Sequence, residues 1–307
     1  MKDLSIAIVN WNTSDLLHQC LLSAKESCKG TDYEIIVVDN ASSDGSPEMV
    51  EEEHPDVLLV RNPINQGFAA ACNLAYKYSS GRYFLLLNTD TIVIKSALPD
   101  MVGFMDTRPN AGAAGCRLIN RDGSLQRSCS CFPGLMTELF DALYLSKIFP
   151  KSRLFGAYAM SYWDFADERE VDFAGGSCLI VRREAIEAVG LLDDGFFMYA
   201  EEADWCYRMR AGGWKVCYYP GASVIHLGGE SAKKYGSQIL LHLYTSRNRF
   251  LRKHRGSYVA GVHRAIVALG ALCRMGAYYV GRAAGRGEPD FIKFQKSLFA
   301  WAAGREV

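Results

Sequence analysis

Residues 84–94 read FLLLNTDTIVI. The apolar run Phe84 to Leu87 stops at Asn88, Thr89 and Asp90, and a second run, Ile92 to Ile94, follows. A carboxylate enclosed by two strands costs several kcal/mol unless a partner compensates it. Asp90 therefore belongs either to a solvated turn, which Asn, Thr and Asp all suit, or to a cation held at the end of a buried strand. The pattern on either side says what kind of fold encloses it.

Towards the N-terminus, three more apolar runs end in polar residues. LSIAIVN (4–10) precedes an amphipathic helix over Asp15 to Ser27, with Leu16, Leu17, Cys20, Leu21 and Ala24 on one face. YEIIVVDN (33–40) is followed by the turn SSDGS and a helix through Glu53. DVLLVRN (56–62) precedes a helix over Gln66 to Ser79, and YFLLLN (83–88) closes the series. Continuous apolar strands alternating with three-turn helices predict a parallel sheet covered on both faces. Ligands of such sheets sit beyond the carboxyl ends of the strands. Those ends carry Asn10, Trp11 and Asn12; Asp39 and Asn40; Arg61 and Asn62; and Asn88, Thr89 and Asp90. Four polar endings outline a nucleotide-sized crevice. The first turn, NWNTSD, lacks GxGxxG, and GxxxxGK[ST] does not occur, which excludes the dinucleotide fingerprint and the P-loop.

Downstream the pattern loosens. Residues 107–170 hold a strand near 112–119, the turn NRDGS and an aromatic stretch with no clear period. VDFAGGSCLIVR (171–182) reads as a strand broken at Gly175 and Gly176, by a bulge or by close approach to a ligand. Arg183 to Val189 reads as a short helix. FFMYAEEADWCYRMRAGG (196–213) is an aromatic approach, a helix starting near Glu201 and a glycine stop. WKVCYYP and ASVIHLGG read as short strands, and 237–284 as largely helical.

The 307 residues, 49% hydrophobic and 22% charged, suit one large globular domain or two small ones. The ten cysteines form no CxxC, which argues against zinc and for a reducing compartment. MKDLSIAIVN enters a strand without a signal-peptide pattern. No uncharged apolar run reaches about 18 residues, so no spanning helix is expected and the expected location is cytoplasmic. The zero net charge conceals two opposed regions. Residues 1–230 carry 20 Lys+Arg against 31 Asp+Glu, residues 231–307 carry 14 against 3, and residues 231–287 contain no acid. A basic end of this kind has a partner. RNRFLRKHR (247–255), followed by the apolar Tyr258 to Gly281 with Arg264 and Arg274, fits peripheral docking on the anionic inner face of a membrane. It equally fits a helical cap over the acidic part. No nucleic-acid partner is expected.

Seven segments occurring in order, IVNWN (8–12), IIVVDNASSDGS (35–46), NPINQGFAAACN (62–73), LLLNTD (85–90), FAGGSCLIVRR (173–183), FFMYAEEADWCYRMRAGGW (196–214) and VIHLGG (224–229), resemble the family 2 glycosyltransferases of GT-A fold. Within these the chain is most similar to the rhamnosyltransferase-like branch of cell-surface polysaccharide assembly. The likeness spans residues 4–230 and fades beyond. It implies a catalytic domain over 1–230, with a nucleotide-binding half to about 110 and an acceptor half from 111, plus a basic helical region over 231–307. It implies inverting transfer from a nucleoside diphosphate sugar, dTDP-rhamnose or a UDP-sugar, to a hydroxyl of a cell-surface glycan or lipid-linked acceptor, with Mg²⁺ or Mn²⁺.

The resemblance also implies roles. Asp90 becomes the metal ligand, Asn88 a ribose or sugar contact, and Asp39 the holder of base or ribose with Asn10 and Trp11 beside it. Glu202 falls where the family's E-D-x-D pattern has its aspartate and becomes the general base. Glu201 is the runner-up, and Asp204 and Trp205 are donor or acceptor contacts. The helix N-terminus is expected to keep both glutamates ionised, and Asp204 can equally pair with Arg208 four residues on. His226 is either a metal or diphosphate contact or a hydrogen-bonded core histidine. Gly67 admits the donor or simply turns the chain, and Gly175 and Gly176 line the donor or acceptor or form a bulge. A sugar nucleotidyltransferase would carry a Gly-rich loop with a basic residue after the first strand, which NWNTSDLL lacks. The departure of EEAD from the family pattern leaves an inactive sugar-nucleotide-binding or scaffold subunit as the other alternative.

Overall fold

The structure, a computed structural model, describes residues 1–228, 238–283 and 289–305. In chain order the strands are β1 (Leu4–Asn10), β2 (Tyr33–Asn40), β3 (Leu58–Asn62), β4 (Tyr83–Asn88), β5 (Thr91–Val93), β6 (Ala111–Ile119), β7 (Leu125–Gln126), β8 (Cys129–Ser130), β9 (Arg169–Glu170), β10 (Phe173–Ala174), β11 (Cys178–Arg182) and β12 (Lys215–His226). The helices are α1 (Ser14–Ser27), α2 (Ser46–Glu53), α3 (Phe68–Lys77), α4 (Ala97–Asp106), α5 (Leu135–Ala142), α6 (Leu145–Ile148), α7 (Arg183–Val189), α8 (Glu201–Ala211), α9 (Gln238–Arg255), α10 (Ser257–Ala283) and α11 (Pro289–Ala302). They form two compact units, Met1–Ser130 with Phe165–Tyr235, and Cys131–Asp164 with Gly236–Val307.

The first unit is built on a sheet of order β3-β2-β1-β4-β11-β6-β12-β5. Strands β1 to β4 are parallel, β11 runs against both of its neighbours, and β12 is parallel to β6 but antiparallel to β5. Leu4, Ile6 and Ile8 on β1 and Leu85 and Leu87 on β4 lie in one fully enclosed cluster, packed under Leu17, Leu21 and Ala24 of α1. This is why these strands read as unbroken apolar runs: both faces are covered. Strand order reverses at β1, which has β2 on one side and β4 on the other. The crevice at that switch point is where such sheets bind ligands.

Two expectations change in detail. VDFAGGSCLIVR is not one broken strand. Phe173 and Ala174 pair with Ser130 and Cys129 in a separate two-stranded sheet, and Cys178 to Arg182 join the main one. Gly175 and Gly176 are where the chain changes sheets. WKVCYYP and ASVIHLGG merge into the single strand β12. Its pairing with β6 slips between Tyr219, opposite Cys116, and Ser223, opposite Arg117, at Pro220, which cannot donate to a ladder.

The sequence division also placed all of 1–230 in one domain, whereas Cys131–Asp164 belongs to the second unit. Its helix α5 is held there by a buried charge cluster. Glu138 Oε1 lies 3.3 Å from Arg247 Nη1, and Glu138 Oε2 lies 3.4 Å from Nε2 of the fully buried His263. Burial opposes ionisation of Glu138, but Arg247 and then His263 outweigh it and hold its carboxyl below the usual range. Among the described residues, Ser257–Val280 is long and apolar enough to cross a membrane by length and composition. The sequence criterion of an uncharged run missed it because Arg264 and Arg274 interrupt it. Only 33% of its most apolar window is buried.

Candidate active site

The ends of β1 and β4 carry a polar network. Asn10 Nδ2 donates to Asp39 Oδ1 (2.9 Å) and Ser42 Oγ (3.0 Å), and Thr13 Oγ1 donates to Asn10 Oδ1 (2.8 Å) and lies 3.0 Å from the Thr89 hydroxyl. The Ser42 amide donates to Asp39 Oδ2 at 2.9 Å. Asp39 thus accepts from the end of β1 on one carboxylate oxygen and from the loop after β2 on the other, and it is 3% exposed. These bonds hold Asp39 at the crevice floor. Asn10 lies in the same buried layer. Trp11, Asn40, Asn65 and Asn88 line the cavity above it, which measures about 390 Å³.

Asp90 lines the same cavity beside His226. Antiparallel pairing puts His226 opposite Thr91, and Leu227 N donates to Asp90 O at 2.8 Å. Register therefore brings His226 Nε2 to 3.2 Å from Asp90 Oδ1. Gln126, on the short hairpin strand β7, sets the ring. Its Nε2 donates to Asn120 Oδ1 (2.9 Å) and to the His226 carbonyl (3.3 Å), so its Oε1 is the atom that meets His226 Nδ1 at 2.5 Å. An acceptor there holds a proton on Nδ1, so Nε2 is the nitrogen turned towards Asp90. Imidazoles that bind metal are oriented in this way. Among the described residues no three His, Cys, Asp or Glu form a complete cage. Asp90 and His226 suit a divalent ion that takes its other ligands from phosphates and water.

Glu201 and Glu202 begin α8 and also line the cavity. The two residues before the helix turn, Tyr199 (φ 69°) and Ala200 (φ 62°), are both left-handed, a strained pair outside glycine. Each glutamate has a buried Oε2 with no hydrogen-bond partner. Burial, reinforced by the Glu202 charge, raises the Glu201 carboxyl well above the usual carboxylate range, and burial raises Glu202 to about 7. The helix N-terminus does not keep both ionised, because desolvation outweighs the dipole. The sign of the stability effect follows. A carboxyl whose folded pKa is raised stabilises the fold below its unfolded pKa, about 4.3, and loses that contribution as pH rises. Glu201→Gln is therefore expected to melt higher than the native protein at pH 8, with the gap closing towards pH 5. A constant gap across thermal melts would count against the burial argument.

The aromatic approach to α8 is clamped by Gly67. Its φ is +87°, and a Cβ there would lie 2.5 Å from Phe197 O, whose carbonyl accepts a hydrogen bond from Phe68 N at 2.9 Å. Gly67 lines the cavity, but what needs its missing side chain is the loop carrying Met198 and Tyr199. Gly67→Ala is expected to cost about 1–3 kcal/mol of stability. An unchanged denaturation midpoint would mean that the Phe197 loop yields freely.

Gly175 and Gly176 line the cavity, and Gly175 N donates to Ser128 O at 2.7 Å. Asn88 is tied to Ser177 through its amide N–H, 3.0 Å from Ser177 O. Asp204 and Trp205 do not reach the cavity wall. Asp204 is fully buried against Arg208 (Oδ2 to Nε 2.8 Å), whose Nη atoms donate to Val189 O and Leu191 O, and Trp205 Nε1 donates to Gly190 O at 2.8 Å. They fasten α8 to the end of α7. Ser42, Asn65 and Tyr199 lie within the quoted segments but were not picked out there, and Gln126 lies outside all of them.

The family model described as glycosyl transferase family 2 matches residues 5–190. N-acetylglucosaminyl-diphospho-decaprenol L-rhamnosyltransferase of Mycobacterium tuberculosis is 28% identical over 234 residues, covering 72% of this chain and 76% of that protein. Rhamnosyltransferase WbbL of Escherichia coli is 25% identical over 184 residues, covering 59% and 65%. The fold is similar to that of the mannosyltransferase PcManGT from Pyrobaculum calidifontis in complex with GDP-Man and Mn²⁺. The TM-score there is 0.54 at 18% identity, over 99% of this chain and 88% of that one.

Proposed function

This chain belongs to glycosyl transferase family 2, and we propose that it transfers a sugar, with inversion, from a nucleoside diphosphate sugar to a hydroxyl of a lipid-linked glycan. L-Rhamnose on dTDP is the favoured donor, with UDP-sugars as the competing class. The Mycobacterium tuberculosis relative supports this choice, since its name gives it L-rhamnose as the sugar and a decaprenol diphosphate as the carrier. The observation that carries the reading is a cavity holding both an Asp90–His226 pair and the two glutamates with unpartnered oxygens.

Glu202 takes the proton of the attacking hydroxyl on Oε2 as the new bond to C1 forms and the bond from C1 to the diphosphate oxygen breaks. A carboxyl raised to about 7 suits this work, since a base is most effective when its pKa is near the working pH. Trp11 and Asn40 flank the nucleotide, and Met198 and Tyr199 cover the sugar and exclude water. Asp90 and His226 would hold Mg²⁺ or Mn²⁺, which when bound supplies positive charge beside the departing diphosphate. The experiment is incubation of the protein with dTDP-rhamnose or UDP-sugars, a divalent ion and a polyprenyl diphosphate N-acetylglucosamine acceptor. Nucleoside diphosphate release coupled to glycosylated lipid supports the reading. Tight donor binding without release under all of these conditions would favour the inactive alternative.

A further inference from the structure

Helix α10 is built inside out. Its polar side chains face the rest of its own unit. His263 is fully buried beside Glu138, and Arg274, 7% exposed, donates from Nε to Gln295 Oε1 at 2.9 Å. Arg264 donates to the carbonyls of Trp301 and Ala302. The solvent side carries Gly261, Ala265, Leu269, Leu272, Gly276 and Val280, all exposed, with Leu269 at 48%, Leu272 at 49% and Val280 at 75%. Their spacing of four, four, three, four and four makes one continuous stripe. At 1.5 Å per residue it runs for about 28 Å. No exposed residue between Ser257 and Val280 is charged. A surface helix of a soluble protein has the opposite arrangement, and an exposed apolar face of this length marks an interaction surface.

What borders the stripe indicates its occupant. Tyr258, 85% exposed, and Tyr279, 51% exposed, stand at its two ends. Exposed Arg252, Lys253 and Arg255 close α9 immediately before it. Aromatic ends and a basic border match a lipid surface, whose interfacial layer receives amphipathic rings and whose headgroups carry negative charge. A second copy of the same face offers no counter-charge, because residues 231–287 contain neither Asp nor Glu. We propose that the outer face of α10 docks in the plane of an anionic bilayer, with Arg252, Lys253 and Arg255 at the headgroups. The inner face stays on protein because its charges are already paired there, so the helix lies on the membrane rather than across it.

The test is flotation of the full-length protein with vesicles of phosphatidylcholine alone and of phosphatidylcholine mixed with phosphatidylglycerol, without donor or metal. The native protein should float with the anionic vesicles at low salt, less at high salt, and least with phosphatidylcholine alone. The double substitution Leu269→Glu and Leu272→Glu should lower partition at least about tenfold, with the melting temperature unchanged because both side chains are exposed. Leu269→Gln with Leu272→Gln is the fallback pair if the charged variant fails to fold. Changing Arg252, Lys253 and Arg255 to Gln should remove most of the salt dependence. Three results would overturn the proposal: no flotation at low salt, equal flotation of the leucine variants, or a solution dimer that those variants dissolve, which would give the face to a second copy. Sugar transfer is not read in this assay, so its failure leaves the proposed reaction untouched.

Discussion

Glu202→Gln is expected to lower kcat by about 10²–10⁴-fold with little change in donor affinity, the usual loss when a general base is removed. The substitution keeps size and removes only the capacity to take a proton. Glu201→Gln should cost much less, since consecutive helix positions point in different directions and at most one can meet the attacking oxygen. A second readout comes from pH. With burial raising Glu202 to about 7, the native rate should fall on the acid side of neutrality as the base becomes protonated, and Glu202→Gln should flatten that limb. The two carboxyls interact, so the limb belongs to the pair. Steady-state kinetics of both variants from pH 5 to 9 decide the matter. The reverse ranking transfers the role to Glu201, and two mild effects remove both.

Asp90→Ala should abolish nearly all turnover and leave the fold intact. The side chain sits in the turn between β4 and β5, where His226 Nε2 lies 3.2 Å away. Its removal takes a carboxylate from the proposed ion site in the cavity. Calorimetric titration with Mn²⁺ in the presence of nucleoside diphosphate should show the matching loss of binding. Gln126→Leu tests the support behind His226. It leaves both proposed ligands in place but frees the ring tautomer, and should weaken Mn²⁺ binding about 10–100-fold. Full activity in excess EDTA would end the metal part of the proposal.

The residues that could be read in advance are those whose role is set by neighbours in the chain. LSIAIVN, YEIIVVDN and YFLLLN are strands over the bounds their apolar runs suggest, since most of their residues are buried on both faces of the sheet. DVLLVRN begins two residues late, at Leu58, which is 45% exposed on the edge strand and gains little from pairing there. Asn88, Asp90, Glu201 and Glu202 reach the cavity because strand ends and helix starts must point into it. Asp39 also accepts from the amide of a serine three residues later, a turn detail that composition does not carry. Gln126 meets His226 from 100 residues away, through a pairing of β6 with β12 that no local pattern announces. The stretch over 131–164 was opaque for a similar reason. Its order comes from Glu138 finding Arg247 and His263, not from any period of its own.

The slip in β12 has a consequence for how much change this protein can absorb. Upstream of it the strand is aligned by β6, and downstream it is also held by β5, where Val224, Ile225 and His226 face Val93, Ile92 and Thr91. Pro220, Gly221 and Ala222 lie between the two registers, without a partner on β6 in the ladder. A residue gained or lost among those three can be taken up locally. The same event between Ser223 and His226 turns every following side chain to the other face of the sheet and carries the imidazole away from Asp90. Within a dozen residues, then, length is free to drift in one place and is locked in the next, and homologues or engineered variants with insertions in this strand should carry them at the proline.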